Sequence, residues 1–249
     1  MDGLCLNCHQ KLATPFCGHC GQKASTHRYS LKHFMEHDVV HGVWHVDKGI
    51  LKTLKDLFTR PGHSVREFLL GKRANFFNFI TLLLTLVAVS TLISGYSHFS
   101  MLDVLPKDSV EEMNALQKFF TNYPKIVLII TIPLYSLLSY LWFRKAKFNY
   151  SEHLVLNSYK TAAELVINLV FVFVTVFYTN KSGVVMIYYA ILYPCSFIYP
   201  IWFYYQFFSR SPYSKKGLWI RSIMVPISYL LLSIFAGMVW GIIAMMGRH

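Results

Sequence analysis

The stretch Asn78–Tyr96, NFITLLLTLVAVSTLISGY, decides the fold. Between Phe79 and Gly95 it carries no charge, and at about 1.5 Å per helical residue it nearly crosses a hydrocarbon core about 30 Å thick. A segment in lipid must satisfy its own backbone hydrogen bonds, so the stretch is a helix. Comparable apolar stretches follow at about Lys125–Phe143, Thr161–Tyr178, Val184–Phe208 and Ile220–Met246. The reading is an all-α membrane protein with about five transmembrane helices over residues 76–249. Ahead of them lie a small four-cysteine head (1–25) and amphipathic juxtamembrane helices (26–75).

Composition agrees. Of 249 residues 54% are hydrophobic and 14% charged, against about 25% charged in soluble domains. Aromatics reach 16%, as belts at two membrane interfaces require. The net charge of +12 gathers at the ends of the apolar spans, where orientation rules and anionic lipid headgroups account for it. That placement argues against nucleic acid as the partner. The first apolar run long enough for a signal peptide begins beyond residue 75, so the first span is expected to act as the insertion signal.

Four of the five cysteines lie in CLNCHQKLATPFCGHCGQK (residues 5–23) as two Cys-x-x-Cys pairs, Cys5/Cys8 and Cys17/Cys20; Cys195 stands alone in an apolar stretch. Two residues between thiolates let a tight turn aim both sulfurs at one ion, and the eight residues between the pairs allow a hairpin-like return. The pattern predicts a structural zinc in a reducing compartment rather than a disulfide framework, because a closed four-sulfur set leaves no position for substrate. A rubredoxin-like iron site uses the same ligands. His9 and His19 are alternates in the knuckles and read better as solvent-facing turn residues.

The order Cys-x-x-Cys, then Phe16-Cys17-Gly18-His19-Cys20-Gly21-Gln22-Lys23, an amphipathic helix, Pro61-Gly62 and Gly71-Lys72-Arg73 ahead of an apolar span resembles the bacterial membrane family catalogued as domain of unknown function 3667. The resemblance covers the head and first span, about a third of the chain. It implies a membrane protein with a zinc-ribbon-like head and supplies no activity.

Between head and membrane, His33, His37, His41 and His45 recur every fourth residue, one face of a helix that can share a metal. His33-Phe34-Met35-Glu36-His37 also matches His-x-x-Glu-His, in which Glu36 would activate a metal-bound water. The competing readings are a pH-sensitive stripe and a plain polar stripe, with Gly42 weakening a long helix. From Asp47, a helix cap, Ile50, Leu51, Leu54, Leu57 and Phe58 share an apolar face opposite Lys48, Lys52 and Lys55. This basic amphipathic helix is expected on the inner leaflet, with packing against the head as the alternative. Ser64 and Glu67 suggest a capping box for Val65–Leu70, and Lys72 and Arg73 anchor the headgroup level.

Connections rich in Lys and Arg alternate with neutral or acidic ones, which puts the N-terminus in the cytoplasm and the C-terminus outside; the family resemblance implies that the membrane is a bacterial inner membrane. Within the spans Glu164 and Asn168 are the polar candidates, Glu164 reading as a residue that snorkels to the interface. Pro194 and Pro200 make the fourth span the candidate for irregular helix, and Glu152-His153 reads as a helix start. These features favour a scaffold, recruitment or sensing protein whose head contacts a cytoplasmic protein partner. A solute, lipid or ion conduit is the alternative, and a metalloenzyme using His33, Glu36 and His37 a further one. Association with further copies of the chain stays open.

Overall fold

Asn78 starts the first of the strongly apolar helices: its side-chain oxygen accepts from the Ile80 and Thr81 amides at 2.8 and 3.3 Å, occupying donors a helix start leaves bare. The computed structural model describes residues 3–26, 49–74, 76–100, 103 and 122–246, with the backbone alone at 124, 125, 128, 129 and 240–246. Its helices are α1 (Ile50–Thr59), α2 (Pro61–Leu69), α3 (Phe79–Ser94), α4 (Pro124–Trp142), α5 (Tyr150–Phe177), α6 (Lys181–Phe208) and α7 (Lys215–Met246). Among the described residues there is no strand, only isolated bridges Leu4–Lys11 and Phe16–Lys23 in the head. Three helices, α5, α6 and the Lys215–Val239 part of α7, are long and apolar enough to cross a membrane; α3 and the Ile130–Trp142 part of α4 are shorter and apolar.

Helix α5 is the centre. It packs against α3 and α4 most extensively and also touches α1, α2 and α6. Phe79 and Phe68 set ring edges on Tyr159, whose hydroxyl donates to the Phe77 carbonyl at 2.7 Å. Around this lie Leu82 of α3, Ala162 and Ala163 of α5, and Phe203, Tyr204 and Phe207 of α6, all buried.

The helix starts well before the apolar span. Residues 144–160, expected as a connection, hold a short 3₁₀ turn (Arg144–Ala146) and then the first eleven residues of α5. Asn149 and Glu152 form a reciprocal capping box, the Asn149 oxygen accepting from the Glu152 amide at 2.9 Å and Glu152 from the Asn149 amide at 2.7 Å. Every residue from Ser151 to Ala163 is buried. The polar residues that made this segment look like a loop point into protein, not water.

What buries them is α4, together with α2 and α6. At Gly62 the latter two touch backbone to backbone: a Cβ there would overlap the Phe203 carbonyl and the Phe207 amide. Helix α2 begins at Pro61, a favoured first position because proline has no amide to leave unpaired. The expected box at Ser64 and Glu67 is not made. Ser64 lies inside the helix and donates to the Pro61 carbonyl, and Glu67 takes both guanidinium ends of Arg60 at 3.3 Å.

Helix α1 begins at Ile50, after Gly49; Lys48 and the cap assigned to Asp47 lie outside the described residues. Its buried face is Thr53, Asp56 and Leu57. Thr53 accepts from the Phe77 amide at 2.8 Å, and the Leu57 carbonyl accepts from the Tyr199 hydroxyl at 2.9 Å. So α1 packs on the bundle, not on the head, while Leu51, Lys52, Lys55 and Phe58 face outward. In α6 the residues Tyr188–Leu192 form a π turn, with the Tyr193 amide bonded to the Tyr188 carbonyl. Pro194 supplies the reason: it has no amide and its ring presses on the carbonyl four residues back, so the preceding turn widens.

Candidate functional site

Two sites emerge, one in the head and one along α5. The head is built twice. Leu4-Cys5-x-x-Cys8-x-Gln10-Lys11 recurs twelve residues later as Phe16-Cys17-x-x-Cys20-x-Gln22-Lys23. Each copy bonds alike: Cys5 to the Gln10 carbonyl and Cys17 to the Gln22 carbonyl, at 2.9 and 2.8 Å, with His9 and Gly21 returning amides to Cys5 and Cys17. Both return residues have positive φ, 60° at His9 and 74° at Gly21. Gly21 therefore eases its turn, while His9 takes the same conformation with a side chain.

The two copies put four sulfurs together. Cys5 and Cys20 lie 3.6 Å apart, Cys8 and Cys17 3.5 Å, and all four ligand atoms fall within 4.8 Å of one another. The cysteines are free thiols; disulfide sulfurs would be about 2.05 Å apart. Such a set can hold a metal ion. Backbone amides prepare it: Gln22 pulls the Cys20 thiol down to about 6, against desolvation. At Cys17 the Cys20 and His19 amides act in the same sense. At Cys8 the Gln10 amide also favours the thiolate, but desolvation and the three neighbouring sulfurs outweigh it and push the thiol up to about 12. His9 and His19 are exposed turn residues outside the sulfur set.

Gln22 distinguishes the second copy from the first. Gln10 is exposed, whereas Gln22 is buried and docks the head on the turn after α2. Its amide donates to the Gly71 carbonyl at 2.8 Å, and its oxygen accepts from the Arg73 and Ala74 amides at 2.9 and 3.1 Å. Gly71, at φ 108°, is the one residue type suited to that turn, and Leu6 lies where its Cβ would be. Arg73 also caps α2 by donating to the Phe68 carbonyl, so its expected anchoring role is joined to a structural one. Lys72 is half-buried beside it, and Lys52 sits 5.7 Å over the Phe76 ring.

The second site is a face of α5. His153, Asn157, Lys160, Glu164 and Asn168 recur at helical spacing along it. His153 Nδ1 and Asn157 Nδ2 both meet the Ser139 hydroxyl of α4, at 2.8 and 3.0 Å, and Asn157 accepts from the Tyr204 hydroxyl at 2.5 Å. His153 Nε2 is buried without a partner. Lys160, 1% exposed, donates to both Glu164 oxygens at 2.9 Å and sits 3.6 Å over the Tyr135 ring, which stacks on Tyr229 of α7. Glu164 therefore does not snorkel. Its cation is beside it, and α4 and α7 close over the pair. Asn168 is half-buried one turn further on. The spacing i, i+4, i+7, i+11, i+15 was present in the sequence, but taking 144–160 as a loop hid its first half.

His33, Glu36, His37, His41 and His45 lie outside the described residues. No curated protein and no solved structure matches the chain. A family model does. Residues 47–91, which hold α1, α2, the Gly71 turn and most of α3, match the model of the family described as protein of unknown function (DUF3667).

Proposed function

We propose that the protein is a scaffold or sensing protein of the bacterial cytoplasmic membrane. In this reading a zinc-bearing head at the cytoplasmic end of five spans presents a surface to a protein partner. For zinc, four thiolates at about 2.3 Å imply sulfur–sulfur edges of about 3.8 Å, close to the 3.5 and 3.6 Å separations across the knuckles. The set is closed, so a bound ion would hold the head in shape and leave no ligand position for substrate. The observation that carries the reading is the Gln22 clasp: head and helices are tied by three hydrogen bonds at one residue, so the folded state of the head reaches the bundle directly.

Two variants test it. Cys17→Ser should lose the metal and unfold the head. Gln22→Ala should keep the metal but loosen the head, seen as faster amide exchange at Gly71–Ala74, and should reduce capture of the partner. Full partner capture by Cys17→Ser would overturn the reading.

A second reading, a proton or small-cation conduit, has the α5 face in its favour, because ionisable residues inside a bundle commonly mark such paths. Flux in proteoliposomes that Glu164→Gln abolishes while the protein stays folded would select it.

A further inference from the structure

A cavity of about 350 Å³ lies where the head meets the ends of α2 and α5. Its walls are Arg66 of α2, Lys147 and Phe148 of the turn before α5, and Glu152, with Leu6 of the head and Leu70 at the rim. Arg66 is held ready. Its guanidinium lies beside the paired Phe148 and Phe207 rings, 5.2 and 5.9 Å from their centres, and one nitrogen donates to the Phe207 carbonyl at 3.1 Å and to Ser211 at 3.4 Å. Among the described residues no carboxylate pairs with it, and its Nε is buried without a partner. Its electrostatic neighbour is another cation, Arg210. Glu152 is engaged in the α5 capping box.

We propose that this cavity binds a singly charged phosphate group, of the kind a phospholipid headgroup carries. Two cations and one carboxylate leave one net positive charge, which matches one phosphodiester. Arginine's planar fork suits phosphate oxygens, and the two rings beside it, with the Phe207 carbonyl, hold the fork in place. The rim selects an amphiphile: Leu6 and Leu70 are 45% and 58% exposed, apolar groups placed beside the charged floor where glycerol and acyl carbons would lie. The cavity also sits at the bundle end that the head occupies, level with the ends of α4 and α6, as a basic pocket between helices at a membrane surface would. This inference stands apart from the scaffold reading, since it is read out by binding alone.

The test uses the full-length, metal-loaded protein in a phosphate-free non-ionic detergent, with native mass spectrometry as the readout. The probes are dioctanoyl phosphatidylglycerol, dioctanoylglycerol and glycerophosphoglycerol, the soluble phosphodiester of the same headgroup. Phosphatidylglycerol should bind, and both Arg66→Gln and Lys147→Asn should weaken it about tenfold, the loss of one charge-assisted contact. Asparagine suits the left-handed backbone at Lys147 (φ 59°), so that variant decides the matter even if Arg66→Gln fails to fold. Displacement of the lipid by equimolar glycerophosphoglycerol assigns the site to soluble phosphodiesters, and no displacement assigns it to the lipid; both keep the anion site. Equal binding of dioctanoylglycerol, or Lys147→Asn binding phosphatidylglycerol like the parent protein, overturns it.

Discussion

Gly62 shows how much one hydrogen atom in place of a methyl can decide. With the Phe203 carbonyl and Phe207 amide occupying the space of a Cβ, Gly62→Ala must push α2 away from α6, at a cost of about 1–3 kcal/mol. The expected result is a lower melting temperature and a more protease-sensitive Pro61–Leu69 segment. The next residue, His63, carries a pH signature. Burial first, then the charges of Arg210, Arg60 and Arg66, hold its imidazole below the ordinary 6.5, with Glu67 opposing. The unfolded chain therefore takes up the proton more readily, so stability should fall as pH drops below about 6.5. His63→Gln should flatten that slope in a melting-temperature series from pH 7.5 to 5.5. An unchanged slope would assign the acid sensitivity to other groups, the thiolates first.

At the scale of the helix, α5 carries polar residues as glue or as machinery, and the Lys160–Glu164 pair can be weighed directly. Removing one partner from a buried pair costs about 3–5 kcal/mol because the other charge is stranded, while replacing both with apolar groups of like size costs far less. Lys160→Met should therefore destabilise the bundle more than Lys160→Met/Glu164→Leu does, measured by thermal unfolding in detergent. The same helix shows what the sequence did and did not disclose. Apolar runs identified the long helices, and the irregular turn beside Pro194 followed from proline chemistry. Glu152-His153 marked the start of α5, but not the burial of Glu152, His153, Asn157 and Lys160, which have the composition of a loop until α4, α2 and α6 are seen to cover them. Likewise the alternation of leucines and lysines in α1 was legible, but not that its seat would be the Phe77 amide and Tyr199 hydroxyl. Contacts made across more than twenty residues leave no local trace.

Over the whole molecule the connections sort into two ends. Ser97 meets Thr175 at 2.6 Å and Asp103 meets Lys181 at 3.0 Å, which puts the turns after α3 and α5 together. Arg66 reaches Ser211, which ties α2 to the turn after α6 at the end where the head docks. Basic residues dominate that second end, in keeping with a cytoplasmic head. A cysteine placed at Asn180 should react with an impermeant reagent in intact cells, and one at Ser214 should react only after the membrane is opened; the reverse pattern would invert the proposed orientation. The four cysteines were legible from spacing alone. Their twofold construction is written in the repeat of residues 4–11 at 16–23, but which glutamine fastens the head is not, since Gln10 and Gln22 are indistinguishable as letters.

The seat of α1 and α2 also sets an order of events during synthesis. Leu57 waits for Tyr199, and Gly62 for Phe203 and Phe207, partners about 140 residues further along the chain. At a ribosome's pace of about 5–20 residues per second, that is roughly 7–30 seconds. For that interval Leu57, Val65 and Phe68, all buried in the finished protein, have no α6 to lie on. The segment that the family shares is thus the first to leave the ribosome among the packed helices and among the last to be seated, and a nascent chain halted before residue 199 should be held by a chaperone or the bilayer surface rather than by its own fold.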